Sequence, residues 1–137
     1  AANLSGPRRI TAGAMRDHVL GIRAVNGTGA VFRSGGRVLK NVTGLDLCKL
    51  LTGAHGTLGV LTEITLKVLP APERTGTLAL RVPDLAAGVA ALSAGLGSPY
   101  GVSGAALLPA EAAARIGLEG PAALLRIEEF AASVAYR

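Results

Sequence analysis

Aromatic residues are scarce in this chain: two Tyr, two Phe and no Trp among 137 residues. Single-stranded nucleic acids are held by stacking bases on aromatic rings, so a base-stacking platform for single-stranded DNA or RNA is not expected. There is one cysteine, Cys48. That excludes an intrachain disulfide framework and a multi-cysteine metal site, and it points to a reducing, cytoplasmic setting. In that setting the sequons at Asn3, Asn26 and Asn41 are chance matches. The two histidines, His18 and His55, are too few for a zinc site, which wants three or four ligands. The longest uncharged run, Leu85 to Ala110, has the length of a bilayer span. Gly95, Gly97, Ser98, Pro99, Gly101, Ser103 and Gly104 break it, so no transmembrane segment is expected. A P-loop pattern is missing, and Gly27-Thr28-Gly29 lacks the third glycine of a dinucleotide fingerprint.

Apolar residues make up 50% of the chain, which is enough for a core. The length suits one domain or pieces of two. The net charge of +5 is unevenly placed: residues 1–70 carry +6 and residues 71–137 carry −1. This asymmetry suggests two units, the first with an anionic partner: a phosphate-bearing cofactor, a nucleic acid or an acidic protein.

The organising stretch is Gly53-Ala54-His55-Gly56-Thr57-Leu58-Gly59, which runs into Val60–Val68. The alternation there predicts a half-buried strand, with Val60, Thr62, Ile64, Leu66 and Val68 on one face and Leu61, Glu63, Thr65 and Lys67 on the other. Three glycines at a spacing of three permit positive φ or a close approach to bare backbone. They fit either a plain turn or a ligand lying against backbone N–H groups.

Ser5-Gly6-Pro7 is a turn signal. Met15–Val25 reads as strand, with Val19–Val25 its regular part. Asn26-Gly27 is a hairpin turn and Ala30–Arg33 the return strand. Asp17 and His18, adjacent on a strand, would point to opposite faces and could not form a triad-like pair. Ser34-Gly35-Gly36-Arg37 reads as a flexible loop, and Val38–Gly44 as a short connection. Asp46 opens a short helix to about Thr52 with Leu47, Leu50 and Leu51 on one face. Cys48 reads as a small core residue, and Gly53 stops the helix.

Four blocks carry a resemblance: Ser5-Gly6-Pro7-Arg8-Arg9, Arg16-Asp17-His18-Val19-Leu20-Gly21, the run from Gly35-Gly36-Arg37 through Lys40-Asn41-Val42-Thr43-Gly44-Leu45-Asp46-Leu47, and Gly56-Thr57-Leu58-Gly59-Val60-Leu61-Thr62-Glu63. In these blocks the chain resembles the FAD-binding flavoproteins of the vanillyl-alcohol oxidase / p-cresol methylhydroxylase (PCMH) type. Among them it is most similar to the FAD-binding E subunit of bacterial glycolate oxidase. The resemblance is dense over residues 1–70 and loose beyond. It implies an α+β fold. Residues 1–70 would be the second lobe of a PCMH-type FAD-binding domain, mainly antiparallel strands with a short helix. Residues 71–137 would be part of an α+β cap or substrate domain. It implies FAD contacts along His55, Gly56, Thr57, Leu58, Gly59, Val60 and Leu61, and along Ala2, Asn3, Leu4 and Ser5. It also implies a flavin-dependent 2-hydroxy-acid oxidoreductase working with other subunits of a glycolate-oxidase-like complex. This chain has His55 where relatives often have Ser or Glu, and Leu45 where Tyr is common. The family's earlier Gly-rich pyrophosphate loop does not precede Ala1, so the chain reads as a fragment, inactive alone and with weak FAD retention. No catalytic base is assigned.

Leu69–Arg74, with two prolines, reads as a linker. Thr77–Val82 is then a strand. Asp84 is the N-cap of a helix with Leu85, Val89, Leu92 and Leu96 on one face, and Gly88 weakens it by ~1 kcal/mol. Val102–Leu108 and Ala123–Ile127 are strands. Pro109–Ile116 is a short helix with a Glu111–Arg115 pair. Glu128 to Arg137 starts a helix, and Glu128-Glu129 reads as a charged rim. A second class of function stays open: a non-catalytic module of the same fold that binds an acidic partner through Arg8, Arg9 and Arg16. A third, self-association through exposed strand edges, follows from the fragment reading.

Overall fold

The computed structural model describes residues 1–38 and 44–137; the connection expected over Val38–Gly44, with the Lys40-Asn41-Val42-Thr43 block, lies largely outside them. The described chain forms two units: residues 1–6 with 13–69, and residues 7–12 with 70–137.

In the first unit, α2 (Met15–His18) leads into β1 (Val19–Val25), β2 (Val31–Gly35), α3 (Leu47–Leu51) and β3 (Val60–Leu66). The sheet is antiparallel, in the order β2-β1-β3. The hairpin turn spans residues 26–30. The Asn26 Oδ1 accepts from the Thr28 and Ala30 N–H groups, and the positive φ falls on Gly29, not Gly27. Val19, Ile22, Ala24, Cys48 and Leu51 make the core, with Phe32, Leu47 and Leu61 packed on it.

Four expectations need correction here. Met15–His18 is a helical turn, not strand, because side chains satisfy its first N–H groups: Asp17 accepts from Ala14, Ser5 from Met15 and Asn3 from Arg16. Ser34 and Gly35 are strand residues, paired to Ile22 and Gly21. On α3 the buried residues are Cys48 and Leu51, while Leu50 is 56% exposed. Lastly, the β1–β3 register shifts twice, once with the extra residue on β1 and once on β3, where it breaks the alternation. Val19 pairs with Leu66 and Gly21 with Thr65; Arg23 pairs with Glu63 and Ala24 with Leu61. Leu20 and Thr62 are therefore bulge residues, and each bulge inverts the alternation beyond it. Leu61 then joins the core, and Val60 turns outward at 65% exposure.

In the second unit, α1 (Arg9–Ala12) accompanies β4 (Arg74–Arg81), α4 (Leu85–Leu96), β5 (Gly104–Leu108), α5 (Ala110–Ala114), β6 (Ala122–Glu129) and α6 (Ala131–Tyr136). The order is β4-β6-β5 with both pairings antiparallel, so β6 is inserted between two parallel strands, a split βαβ arrangement. Asp84 caps α4 by accepting from the Ala87 N–H at 2.7 Å. The packed side of α4 is its small-residue side. Gly88 is buried, and a Cβ there would press on Leu107; a Cβ at Gly95 would press on Leu125. Leu85, Val89 and Leu96 face outward instead. The helix is apolar all round, so periodicity alone could not choose its buried side.

Glu128 is a further correction. Its side chain is only 6% exposed, and both carboxylate oxygens are paired, Oε2 with Arg8 Nε at 2.7 Å and Oε1 with Arg126 Nε at 2.9 Å. Burial pushes its carboxyl up. The Ser103 hydroxyl and the Arg8 and Arg126 guanidiniums outweigh that and hold it below the usual carboxylate range. The Ser103 hydroxyl also reaches the Arg126 carbonyl at 3.1 Å, and its single proton serves one acceptor at a time. Among the described residues no helix is long and apolar enough to cross a membrane.

Candidate functional site

The glycine loop grows out of the C-terminus of α3. Thr52 closes that helix, its N–H and hydroxyl both donating to the Cys48 carbonyl. The backbone then turns through positive φ at Gly53 (+97°), His55 (+53°), Gly56 (+86°) and Gly59 (+149°). Thr57 steadies the turn with its N–H and hydroxyl on the Ala54 carbonyl, at 2.9 and 2.7 Å.

The glycines do different work. A Cβ on Gly59 would lie 2.6 Å from the Val25 carbonyl oxygen, so this glycine lets the loop seat against β1. Nothing lies within 4 Å of a Cβ built on Gly56. That backbone is bare and open, and the N–H groups of Gly56 and Leu58 meet no acceptor among the described residues. His55, Thr57 and Leu58 are exposed around it. A planar ligand with acceptor atoms could lie here within hydrogen-bond reach of backbone.

The two predicted segments meet. The His55 N–H donates to the Ala1 carbonyl at 3.2 Å, and a Cβ on Gly53 would touch Asn3 Cβ at 3.4 Å. Ala2 and Leu4, in the same segment, are exposed. The Asn3 and Ser5 side chains, however, are taken up by the N–H groups of Arg16 and Met15. Asn3, with φ +50°, holds α2 in place. A sequence scan could not see this role, because the capping side chains lie upstream of the helix and outside the usual cap position.

Val60 and Leu61 lie on opposite faces of the sheet. On the outward face one rung runs Val31, Val25, Val60 across the three strands, and the next runs Arg33, Arg23, Glu63. Arg23, Val25, Val31, Thr62 and Glu63 line an open cleft of about 250 Å³ there. The apolar rung adjoins Gly59.

The other candidates go elsewhere. Asp17 caps its own helix and the His18 Nδ1 lies 3.2 Å from the Lys67 carbonyl. Arg8 is bound to Glu128, which removes it from the basic cluster proposed to meet an acidic partner.

No family model matches the chain. Similarity nonetheless runs to named proteins in both sequence and fold. The chain is 53% identical over 78 residues to glycolate oxidase subunit GlcE of Escherichia coli (strain K12), covering 57% of this chain and 22% of that protein. It is 42% identical over 76 residues to glycolate oxidase subunit GlcD of Bacillus subtilis (strain 168), 56% of this chain and 16% of that one. It is 44% identical over 68 residues to the uncharacterized FAD-linked oxidoreductase Rv2280 of Mycobacterium tuberculosis (strain ATCC 25618 / H37Rv), 50% of this chain and 15% of that one. Among solved structures, alkyldihydroxyacetonephosphate synthase superposes with a TM-score of 0.70 at 19% identity, over 99% of this chain and 30% of that one. The α+β fold expected from the sequence is thus shared with that enzyme. The chain spans about a fifth or less of the length of these curated relatives.

Proposed function

We propose that this chain forms part of the FAD-binding portion of a flavin-dependent 2-hydroxy-acid oxidoreductase, similar to the glycolate oxidase subunits. Residues 1–70 act as the second lobe of a PCMH-type FAD-binding domain, and residues 71–137 as part of the cap or substrate domain. The carrying observation is the open positive-φ backbone at Gly56, beside a segment whose Ala1 carbonyl is tied to His55. His55, Gly56, Thr57, Leu58, Gly59, Val60 and Leu61 contact the cofactor mainly through backbone, and Ala2, Asn3, Leu4 and Ser5 border it. The residues fit the group: the N–H groups of Gly56 and Leu58 can donate to its oxygens or ring acceptors, and the Val31–Val25–Val60 rung offers apolar surface to a ring. When bound, flavin supplies the hydride-accepting chemistry. The chain's own part is to bind and orient it.

Neither segment contains Lys or Arg within residues 1–5 or 53–61. A pyrophosphate therefore gains no charge-assisted bond from them, and the chain by itself binds FAD weakly and turns over no substrate. Its working context is a cytoplasmic complex with other subunits of the glycolate-oxidase-like kind. Titration of FAD into the full chain, followed by flavin fluorescence, tests this reading. Weak, saturable binding that Gly56→Val abolishes is the expected result. Binding that Gly56→Val leaves intact contradicts it.

A further inference from the structure

In the second unit α4 and α6 both pack on β6, and a hollow of about 500 Å³ opens between them. Its floor is two cross-strand pairs, Gly76 with Ile127 and Leu78 with Leu125. Its walls come down onto that floor at glycines. On the α4 side a Cβ at Gly95 would press on Leu125, and on the α6 side Val134 lies 3.1 Å from a Cβ built on Gly76. Both helices therefore already touch the sheet, and the hollow is framed by contacts rather than left by loose packing. Protein interiors hold few voids larger than a water molecule, so a space of this size beside the buried Leu125 calls for an occupant.

Arg137 is the cation that lines this space. Its side chain is three-quarters buried, and the loop after α4 holds it. Its Nη1 donates to the Tyr100 carbonyl at 3.0 Å, and Gly101, at φ +63°, has no Cβ to crowd that nitrogen. A guanidinium carries five N–H donors, and the Nε and Nη2 of Arg137 meet no acceptor among the described residues. The geometry points to a binding site for an aliphatic monocarboxylate. Its hydrocarbon body lies on the Leu78, Leu125 and Ile127 floor between α4 and α6, and its carboxylate takes the fork of Arg137. The planar fork matches carboxylate geometry. Glu129, with Oε2 3.9 Å from the same Nη1, repels a doubly charged head group more than a singly charged one. The site lies wholly within the second unit and does not depend on the flavin reading above.

Titration of the isotopically labelled full chain with octanoate, and separately with 1-octanol, tests the proposal. Octanoate gives saturable amide shifts centred on residues 95–102 and 134–137, with an affinity tenfold or more above that of octanol. Arg137→Gln brings octanoate down to the affinity of octanol and leaves octanol binding unchanged, which shows that the hollow is still formed in the variant. Octanoate shifts that never saturate, that centre on the first unit, or that survive Arg137→Gln at full affinity would overturn the proposal. So would equal affinities for octanoate and octanol in the unsubstituted chain. Loss of both ligands in Arg137→Gln would mean that Arg137 shapes the hollow without reading a head group, and would overturn it as well.

Discussion

The His55 N–H donates to the Ala1 carbonyl oxygen at 3.2 Å, joining the chain's first residues to the turn that follows α3. Around this bond the first unit is held by backbone and by two polar side chains, Asn3 and Ser5, acting at a distance.

Asn3 carries both a hydrogen bond and a left-handed backbone, φ +50°. Asn3→Ala loses the bond to the Arg16 N–H and strains the backbone, and should destabilise the first unit by about 1–2 kcal/mol. Asn3→Gly keeps the backbone at ease and should cost roughly half as much. Urea denaturation of the two variants measures the difference, and equal costs would mean that the backbone contributes nothing.

Gly56 and Gly59 should separate binding from stability. Gly59→Val sets a side chain against the Val25 carbonyl at a φ of +149°, and should destabilise by about 2–4 kcal/mol. Gly56→Val meets open space and carries only the strain of a positive φ, about 1–2 kcal/mol. Its larger effect should be on FAD affinity. Thermal melts paired with FAD titrations would show whether the two effects part in this way.

Gly35 is the sharpest steric test. At φ +69° a Cβ would run into the Leu20 carbonyl and the Cys48 Sγ. The carbonyl belongs to the strand bulge and cannot rotate away. Gly35→Ala should cost about 3 kcal/mol or more, while Gly36→Ala, with nothing within 4 Å, should be close to neutral. Denaturation midpoints of the pair decide it.

Those glycines show which features were readable from sequence. Local signals suffice for β1, Val19–Val25, and for α4, whose N-cap is Asp84 as its sequence predicts. They suffice too for Cys48, which is buried in the core. What failed depended on partners distant in sequence. The bulges at Leu20 and Thr62 arise from pairing between strands, and they decide that Leu61, not Val60, faces the core. Ser34-Gly35 looked like a loop because two glycines follow a serine. It is strand because Ser34 and Gly35 pair with Ile22 and Gly21 of β1, and Gly35 alone lacks room for a side chain. On α4 an all-apolar circumference hid the packed side. In the candidate site the openness of the Gly56 backbone matches what the glycine spacing allowed, whereas the structural duty of Asn3 and Ser5 left no local trace.

Glu128 gives a pH signature. Its folded carboxyl titrates below the ordinary range, so the ionised form is favoured by folding. That stability is fully present above the ordinary carboxylate pKa of about 4.3 and is lost as pH falls through the lower folded value. Glu128→Gln should therefore be less stable than wild type by about 1–3 kcal/mol at pH 7. The gap should stay constant down to about pH 5 and close below about pH 4. Denaturation of both proteins across that range measures it, and a gap that persists undiminished in acid would assign the cost to lost shape, not lost charge.

The central claim is that the backbone at residues 55–61, with Ala2–Ser5 beside it, is a flavin-contact surface. The most direct measurement is FAD titration of the isotopically labelled full chain, followed by the amide resonances. Weak, saturable shifts concentrated at Gly56, Leu58 and their neighbours, with smaller ones at Ala2–Ser5, and all absent in Gly56→Val, are the predicted result. Shifts that never saturate, that centre on the second unit, or that survive Gly56→Val would contradict the account.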